Sequence, residues 1–207
     1  MNLTLEKNVV ESGYDFKQYL ALIEDRLSKD QTTGAEQSRE KIETTELNLR
    51  RMKRILKTGT LSEPVRKVIH EIKEPLYWIV LAEAWCGDGA QVIPYLAIMA
   101  GLNRNIRLKI LLRDEHPEIM DLFLTDGKRS IPKLICLDRD FNVNVTWGPR
   151  PGATQELFLA YQGNPGMTKE DFHMELHLWY ARDRGKAIVE EIYKLLENCP
   201  AKSEVLT

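Results

Sequence analysis

The sequence predicts an α/β fold, with a central mixed β-sheet of about four strands that is flanked by helices and preceded by an all-helical extension. The first supporting observation is the apolar run at residues 76–81, which follows Pro75 and is rich in branched and aromatic side chains, as expected for a strand buried on both faces. The second is that helix and strand patterns alternate after this run. The third is that residues 1–74 show only helical spacing. We therefore predict an N-terminal helical extension over residues 1–74 and the sheet domain over residues 75–207.

Three amphipathic helices are predicted in the extension, at about residues 14–29, 35–57 and 62–74. The second of them ends in a cluster of basic residues, namely Arg50, Arg51, Lys53, Arg54 and Lys57. Such a cluster can bind an anion or nucleic acid, but the helix dipole also favours cations near a helix C-terminus. We prefer the dipole interpretation, and therefore expect no chemistry from the extension itself.

The sheet domain continues from the first strand with a helix over residues 88–101, in which Pro94 is a candidate kink. The elements predicted after it are a strand at 106–112, a short helix at 117–124, a strand at 130–138, its hairpin partner at 143–147, a helix at 154–162 and a long helix at 169–197. The sequence Gly-Pro-Arg-Pro-Gly at residues 148–152 ends the hairpin abruptly.

The charge composition argues against nucleic-acid and membrane-surface partners. The 207-residue chain has a formal net charge of -2, and its charged residues, 29% of the total, form no long block of one sign. No apolar segment reaches the ~18 residues expected of a transmembrane helix, and the N-terminus lacks the pattern of a signal peptide. We therefore expect a cytoplasmic protein whose partners include no nucleic acid and no membrane.

The cysteines are too few and too scattered for a disulfide framework or for a zinc or cluster site; they are Cys86, Cys136 and Cys199. Cys86 lies where the strand at 76–81 runs into the following helix. There, unpaired N–H groups and the positive end of the helix dipole lower the pKa of a thiol, whereas the like charge of Asp88 raises it. The sequence does not decide which effect is larger.

The turn Trp85-Cys86-Gly87 joins a strand to a helix, and Ile131-Pro132 opens another strand about 45 residues later, followed by a hairpin. This conjunction resembles the thioredoxin superfamily over residues 76–159. The resemblance implies that Cys86 is the catalytic thiol and that Pro132 is a cis-proline packed beside it. It also implies that the surrounding positions shape the site; these are Trp85, Gly87, Asp88, Gly89 and Ile131. The helical lead-in, with its Asn48-Leu49-Arg50-Arg51-Met52 run, resembles that of a bacterial thioredoxin-like subfamily.

Two departures from the superfamily pattern concern the proton and thiol chemistry. The redox motif of the superfamily is Cys-x-x-Cys, and its second cysteine is replaced here by Gly89, so no internal dithiol cycle can run within the motif. Val80 occupies the strand position at which thioredoxins bury a carboxylate. The two losses are consistent, because that acid serves the missing thiol. Glu83 lies nearer the site and is a candidate substitute, although a glutamate at a strand end is more often solvated.

Further candidate residues follow from the predicted hairpin. Its second arm ends at the sheet edge that holds Cys86, which brings Gly148 and Arg150 near the thiol, where a guanidinium can stabilise a thiolate or bind a carboxylate. An exposed arginine between two prolines is an equally good interpretation. Cys136 lies ~13 Å along the strand from the site, too far to form a disulfide without backbone movement, whereas Cys199, on a tail beyond the last helix, remains a minor candidate for a resolving thiol.

The pair His173 and His177 has the spacing of two metal ligands on one helix, but an amphipathic helix face explains it better, because no third ligand is indicated. We expect neither a metal nor another cofactor.

Three functions are consistent with the sequence. The leading hypothesis is a thioredoxin-like thiol protein in which Cys86 forms a mixed disulfide with a protein thiol or glutathione, which an external thiol then resolves. The first alternative is a redox-inactive binding module that keeps a peptide groove around Trp85, Pro132 and Gly148. The second alternative is a protein similar to monothiol glutaredoxins, which bind glutathione or an iron–sulfur cluster, although those proteins place serine at the position of Gly89.

Overall fold

The computed structural model describes residues 3–197, and its centre is a four-stranded mixed sheet with the strand order β2-β1-β3-β4. The strands are β1 (Leu76–Ala82), β2 (Ile106–Leu112), β3 (Lys133–Leu137) and β4 (Val143–Trp147). β1 pairs in parallel with β2 and antiparallel with β3, while β3 and β4 form the predicted hairpin. The predicted fold class, an α/β fold with a mixed sheet of four strands, is confirmed.

Nine helices surround the sheet within the described residues. Those before it are α1 (Lys7–Ser12), α2 (Phe16–Ser28), α3 (Arg39–Thr58) and α4 (Glu63–Glu71). Those after β1 are α5 (Gly87–Ala100), α6 (Pro117–Met120), α7 (Gly152–Gln162), α8 (Lys169–Asp183) and α9 (Lys186–Glu197). Helix α1 has no counterpart among the predicted helices, and α3 begins about four residues later than predicted.

The late start of α3 has a physical cause, because the residues before it form a loop that packs on the strand-to-helix turn. The hydroxyl of Thr33 accepts a hydrogen bond of 2.8 Å from the backbone N–H of Ala84, and the hydroxyls of Thr32 and Thr45 lie 2.5 Å apart. These two hydrogen bonds reach residues far along the chain and hold residues 32–33 in the loop against the turn and α3. The loop therefore supports the backbone just before Cys86.

β1 is the centre of the core, and all seven of its residues are buried. Its side chains alternate between two hydrophobic clusters, with Trp78 in one and Ile79 in the other, as expected for a strand covered on both faces. The cluster that contains Trp78 also includes Met52 of α3 and Ile69 of α4. The predicted N-terminal extension therefore shares one hydrophobic core with the sheet.

The prediction of one long helix over residues 169–197 is wrong, because the chain turns between α8 and α9. Arg184 and Gly185 both have positive φ angles, 56° and 79°. The hydroxyl of Tyr95 donates a 2.6 Å hydrogen bond to the carbonyl oxygen of Arg184, and a Cβ atom on residue 185 would collide with the ring of Tyr95. Only glycine fits this approach, so Gly185 ends the helix.

Helix α5 is largely buried and continues through Pro94. At ~1.5 Å per residue its 14 residues extend over ~21 Å, which is shorter than the ~30 Å hydrocarbon core of a bilayer. None of the helices within residues 3–197 combines the length and the apolar character that crossing a membrane requires.

Candidate functional site

Cys86 is the N-cap residue of α5, so its sulfur lies at the N-terminus of the helix. The backbone N–H of Gly89 donates to Sγ at 3.4 Å, and the thiol itself donates to the carbonyl oxygen of Ile131 at 3.3 Å. The thiol thus bridges the head of α5 and the segment that leads into β3. Only 9% of the residue is exposed.

Two cis peptide bonds flank the β3–β4 hairpin, Ile131-Pro132 before β3 and Gly148-Pro149 after β4. The second was not anticipated from the sequence. Gly148 has a φ angle of 112°, and a Cβ atom at this position would collide with the carbonyl oxygen of Pro132. This close approach, which requires glycine, directs the residues after β4 towards the site.

Arg150 and Asp88 form an ion pair at the site, with 2.7 Å between Nη2 and the carboxylate and with only 14% and 7% of their side chains exposed. The guanidinium also lies over the ring of Phe158, 4.7 Å from the ring centroid. The second carboxylate oxygen of Asp88 accepts a 2.7 Å hydrogen bond from the hydroxyl of Tyr180 on α8. Burial raises the pKa of the Asp88 carboxyl, while Arg150 and then Tyr180 oppose that rise. The Cys-Gly-Asp-Gly turn is therefore connected to both α8 and the end of the hairpin.

The structure resolves which effect dominates the pKa of Cys86. Burial is the largest cause and Asp88 the second, and together they raise the pKa of the thiol to about 12. The backbone N–H groups of Gly89 and Asp88, and the charge of Arg150, lower it by less. Desolvation of the thiolate thus outweighs the helix N-terminus, and the resting site holds a protonated thiol.

Cys86 lines a cavity of about 360 Å³ between α3 and α8. The strand-to-helix turn contributes Trp85, Cys86, Gly87 and Asp88, and α3 contributes Glu40, Lys41, Thr44, Leu47 and Arg51. The opposite wall consists of Arg150 and the α8 residues Lys169, Phe172, His173, Leu176, His177 and Tyr180. The α8 positions recur at intervals of three and four, which places them on one face of the helix.

A chain of hydrogen bonds joins the two walls to the turn. Arg51 Nη2 lies 3.3 Å from His177 Nε2, and Arg51 Nη1 donates to Asn48 Oδ1 at 3.1 Å. The amide of Asn48 in turn donates to the carbonyl oxygen of Ala84 at 2.9 Å. Burial, and then the charge of Arg51, lower the pKa of His177 to about 4, so the ring is neutral at neutral pH.

Trp85 and Glu83 lie on the side of the turn that faces the loop before α3. The ammonium of Lys41 lies 3.9 Å from the centre of the Trp85 ring. Glu83 is 1% exposed and accepts a 2.9 Å hydrogen bond from the backbone N–H of Asp114, so the expectation that it is solvated is wrong. Burial raises the pKa of its carboxyl. The structure pairs this carboxylate with the chain at Asp114 rather than with the thiol.

Neither Cys136 nor a metal-binding group is brought to Cys86 within residues 3–197, although His173 and His177 line the same cavity. Cys136 belongs to the core cluster on the opposite side of β1 from the one that contains Cys86. Cys199 lies outside the described residues. The rings of His173 and His177 are 6.4 Å apart between centroids, and no group of three or more potential metal ligands occurs within residues 3–197.

Sequence reasoning missed the contribution of the two walls to the site. Arg51 was attributed to the helix dipole, the histidines to a helix face, and Tyr180 was not singled out. The signal that could have identified these wall residues is the spacing of three and four between polar and aromatic residues on both α3 and α8. This spacing does not show that the lined face of α3 lies opposite that of α8 across the cavity beside Cys86. Only the packing of the helices on the sheet establishes that.

Comparison with known proteins adds a family match and two structural neighbours. A thioredoxin family model matches residues 34–169. The chain is similar to the crystal structure of a protein of unknown function, PA1234 from Pseudomonas aeruginosa, with 18% identity and a TM-score of 0.63 over 94% of this chain and 98% of that chain. It is also similar to an HIV epitope-scaffold, with 18% identity and a TM-score of 0.60 over 93% of this chain and 97% of that one. Identities this low show a shared fold alone. The comparison with curated proteins found no match.

Proposed function

The chain belongs to the thioredoxin family, and on that premise we propose that it is a thiol protein that acts through one cysteine, Cys86. The observation that carries the proposal is the position of the sulfur, which caps α5, donates to the carbonyl oxygen of Ile131 beside Pro132, and lines a cavity. The position is the one at which a thiol of this family exchanges with a disulfide.

The proposed reaction is two successive thiol–disulfide exchanges. Cys86 loses its proton to solvent and attacks one sulfur of a disulfide R–S–S–R, so that a mixed disulfide forms and R–S⁻ leaves to be protonated. An external thiol R′–SH, as its thiolate, then attacks the R sulfur, which releases R–S–S–R′ and the Cys86 thiolate. Because Gly89 replaces the second motif cysteine, the motif itself provides no resolving thiol. The substrate class is a protein disulfide or glutathione disulfide.

The resting structure implies that this reaction depends on substrate binding. A pKa of about 12 leaves about one thiol in 10⁵ ionised at pH 7. Tyr180 and Arg150 hold Asp88 close to the thiol. A substrate that exposes the sulfur reduces burial, the largest cause of the high pKa, while Arg150 continues to offset the charge of Asp88.

The test uses a chain in which Cys86 is the only cysteine, made with Cys136→Ala and Cys199→Ser. After incubation with glutathione disulfide, intact-mass analysis is expected to show one glutathionyl adduct. The matched control adds Cys86→Ser and is expected to show none. An unmodified Cys86 chain that is folded by circular dichroism would count against the proposal.

A second candidate function, a binding module without turnover, is favoured by the same burial. A thiol that is 9% exposed and has a pKa of about 12 is a poor nucleophile at rest. A Cys86→Ala variant separates the two functions. If it binds the same disulfide-containing partners as the parent chain, with unchanged affinity, the binding module is the better account.

The third possibility, a glutaredoxin-like iron–sulfur protein, gains no specific support from the geometry. Cys86 is only 9% exposed and its thiol is protonated at rest, whereas a cluster shared between two copies needs an accessible thiolate. Anaerobic reconstitution with iron, sulfide and glutathione is therefore expected to leave the protein colourless. A stable visible absorption band that is lost in Cys86→Ser would favour the cluster instead.

A further inference from the structure

We propose that the cavity beside Cys86 binds a small carboxylate-bearing thiol, or its disulfide, through an anion site formed by Arg51 of α3 and His177 of α8. The inference deepens the proposed function and rests on it for the sulfur chemistry. The anion site itself is built from the helical walls and does not depend on the reactivity of the thiol.

The cavity carries more positive than negative charge. Its lining contains four cationic side chains and two carboxylates, the cations being Lys41, Arg51, Arg150 and Lys169. Asp88 pairs with Arg150 at 2.7 Å, Glu40 lies 3.9 Å from Lys169, and Glu36 pairs with Lys41 at 2.7 Å. Arg51 has no carboxylate partner among residues 3–197, although it is partly buried. An anionic ligand would supply the missing partner.

The contact with Arg51 fixes the tautomer of His177. A guanidinium can only donate, so His177 Nε2, 3.3 Å from Arg51, is the acceptor. The neutral ring therefore carries its proton on Nδ1. This nitrogen is buried and has no hydrogen-bond partner within the described residues. Nε and Nη1 of Arg150 are likewise buried without an acceptor. These N–H groups belong to cavity-lining residues but are themselves shielded from solvent, so an acceptor in the cavity reaches them only when the side chains turn towards it.

The size of the cavity suits a small ligand. A cavity of about 360 Å³ lies at the lower end of the ~300–1,000 Å³ typical of small-molecule sites. The apolar side chains of Phe172 and Leu176 line the same space and suit the hydrocarbon part of a ligand. Because α3 and α8 flank the sulfur, a small thiol can enter the cavity, whereas a folded protein partner would have to displace α8. A small ligand with at least one carboxylate fits both the volume and the charge.

The binding test removes the sulfur chemistry from both partners. S-methylglutathione, which cannot form a disulfide, is titrated into the Cys86→Ser chain by calorimetry. Binding is expected, and Arg51→Gln is expected to weaken it about tenfold, since a charge-assisted contact is lost. Arg51→Lys should retain most of the affinity. Arg50→Gln is the matched control, because Arg50 is exposed and pairs with Glu46 on the outer face of α3.

A second measurement needs no substitution in the anion site. Increasing salt should weaken binding of S-methylglutathione to the Cys86→Ser chain, because the proposed contact is electrostatic. Affinity that is independent of salt, an absence of binding, or equal affinities for Arg51→Gln and Arg50→Gln would each overturn the inference. Circular dichroism and the melting temperature establish that each variant is folded.

A third measurement separates failure of the site from failure of the proposed function. The chain with Cys86 as its only cysteine is treated with glutathione disulfide, which is anionic, and with cystamine, a small cationic disulfide. Faster reaction with glutathione disulfide, and loss of that preference in Arg51→Gln, is the expected result. Equal rates would contradict the anion site and leave the proposed function standing. Binding of S-methylglutathione with no reaction towards either disulfide would support the anion site and contradict the proposed function.

Discussion

The pH dependence of the reaction at Cys86 follows directly from its burial. The pKa is about 12, against about 8.5 for a free cysteine, which reduces the thiolate population at pH 7 roughly 3,000-fold. A more basic thiolate is a better nucleophile, and with a Brønsted coefficient of about 0.45 this recovers a factor of roughly 40. The folded chain should therefore react on the order of 10² times more slowly than free cysteine with a neutral disulfide such as 2-hydroxyethyl disulfide.

The assay follows mixed-disulfide formation by intact mass from pH 7 to pH 10.5, using the chain with Cys86 as its only cysteine. The logarithm of the rate constant should rise with a slope of one across this range, because the pH stays below the pKa of the thiol. Free cysteine, measured in parallel, should level off above about pH 8.5. The same chain unfolded in urea should behave like free cysteine.

A plateau between pH 8 and 9 for the folded chain would refute the reasoning, because it would mean that the helix N-terminus and Arg150 outweigh burial. Loss of structure at high pH is the main confounding process. The raised pKa of Cys86 contributes stability that is fully present below about pH 8.5 and is lost as the pH rises towards 12, by roughly 1.4 kcal/mol per pH unit. Circular dichroism at each pH therefore accompanies the kinetics.

Three substitutions test the surroundings of the thiol and the turn after α8. Asp88→Asn removes a negative charge near the thiolate of Cys86, so it should lower the pKa of the thiol and move the pH–rate profile of its reaction to lower pH. An unchanged profile would rule out the charge of Asp88 as a cause of the raised pKa. Tyr180→Phe removes a buried hydrogen bond to a carboxylate and should reduce the free energy of unfolding in urea by about 1.5–3 kcal/mol. Tyr193→Phe removes an exposed bond and should change that free energy by less than about 0.5 kcal/mol. Equal losses in the two variants would show that the buried bond stabilises the fold no more than the exposed one. Gly185→Ala should lower the melting temperature more than Gly127→Ala. Both positions have a positive φ angle, but only a Cβ atom on residue 185 would collide with a ring, that of Tyr95. Equal shifts in melting temperature would contradict this packing.

The sheet and the position of Cys86 were predictable because local patterns determine them. The continuous apolar run that forms β1, the alternation that forms β4 and the junction before α5 are each encoded within a few residues. The hairpin also placed Arg150 at the correct edge of the sheet, since antiparallel partners end where their neighbours begin. These predictions needed no knowledge of how the helices pack.

The remaining features depend on tertiary contacts. The turn at Gly185 exists because the ring of Tyr95, 90 residues earlier in the chain, occupies the space of a side chain. Likewise, the direction of the pKa shift at Cys86 depends on how completely the packed chain buries the sulfur. A lone glycine in a helical pattern and a cysteine at a helix start are each compatible with either outcome.

Arg50 and Arg51 illustrate the same limit at a single helix turn. They are neighbours in one basic cluster, yet Arg50 points to solvent with Glu46 while Arg51 contacts His177 at the cavity wall. Sequence spacing shows that the two residues lie on different faces of α3. Which face meets Cys86 depends on the orientation of α3 against the sheet, which the spacing does not contain.

The central claim is that Cys86, as the only protein thiol involved, forms the mixed disulfide and is then released by an external thiol in the folded protein. One intact-mass time course tests this claim most directly. Glutathione disulfide is added to the folded chain that retains only this cysteine, and an excess of a second thiol follows. The account predicts that a single adduct appears and is then removed, with the chain folded throughout. An adduct that forms only after unfolding in urea would contradict it.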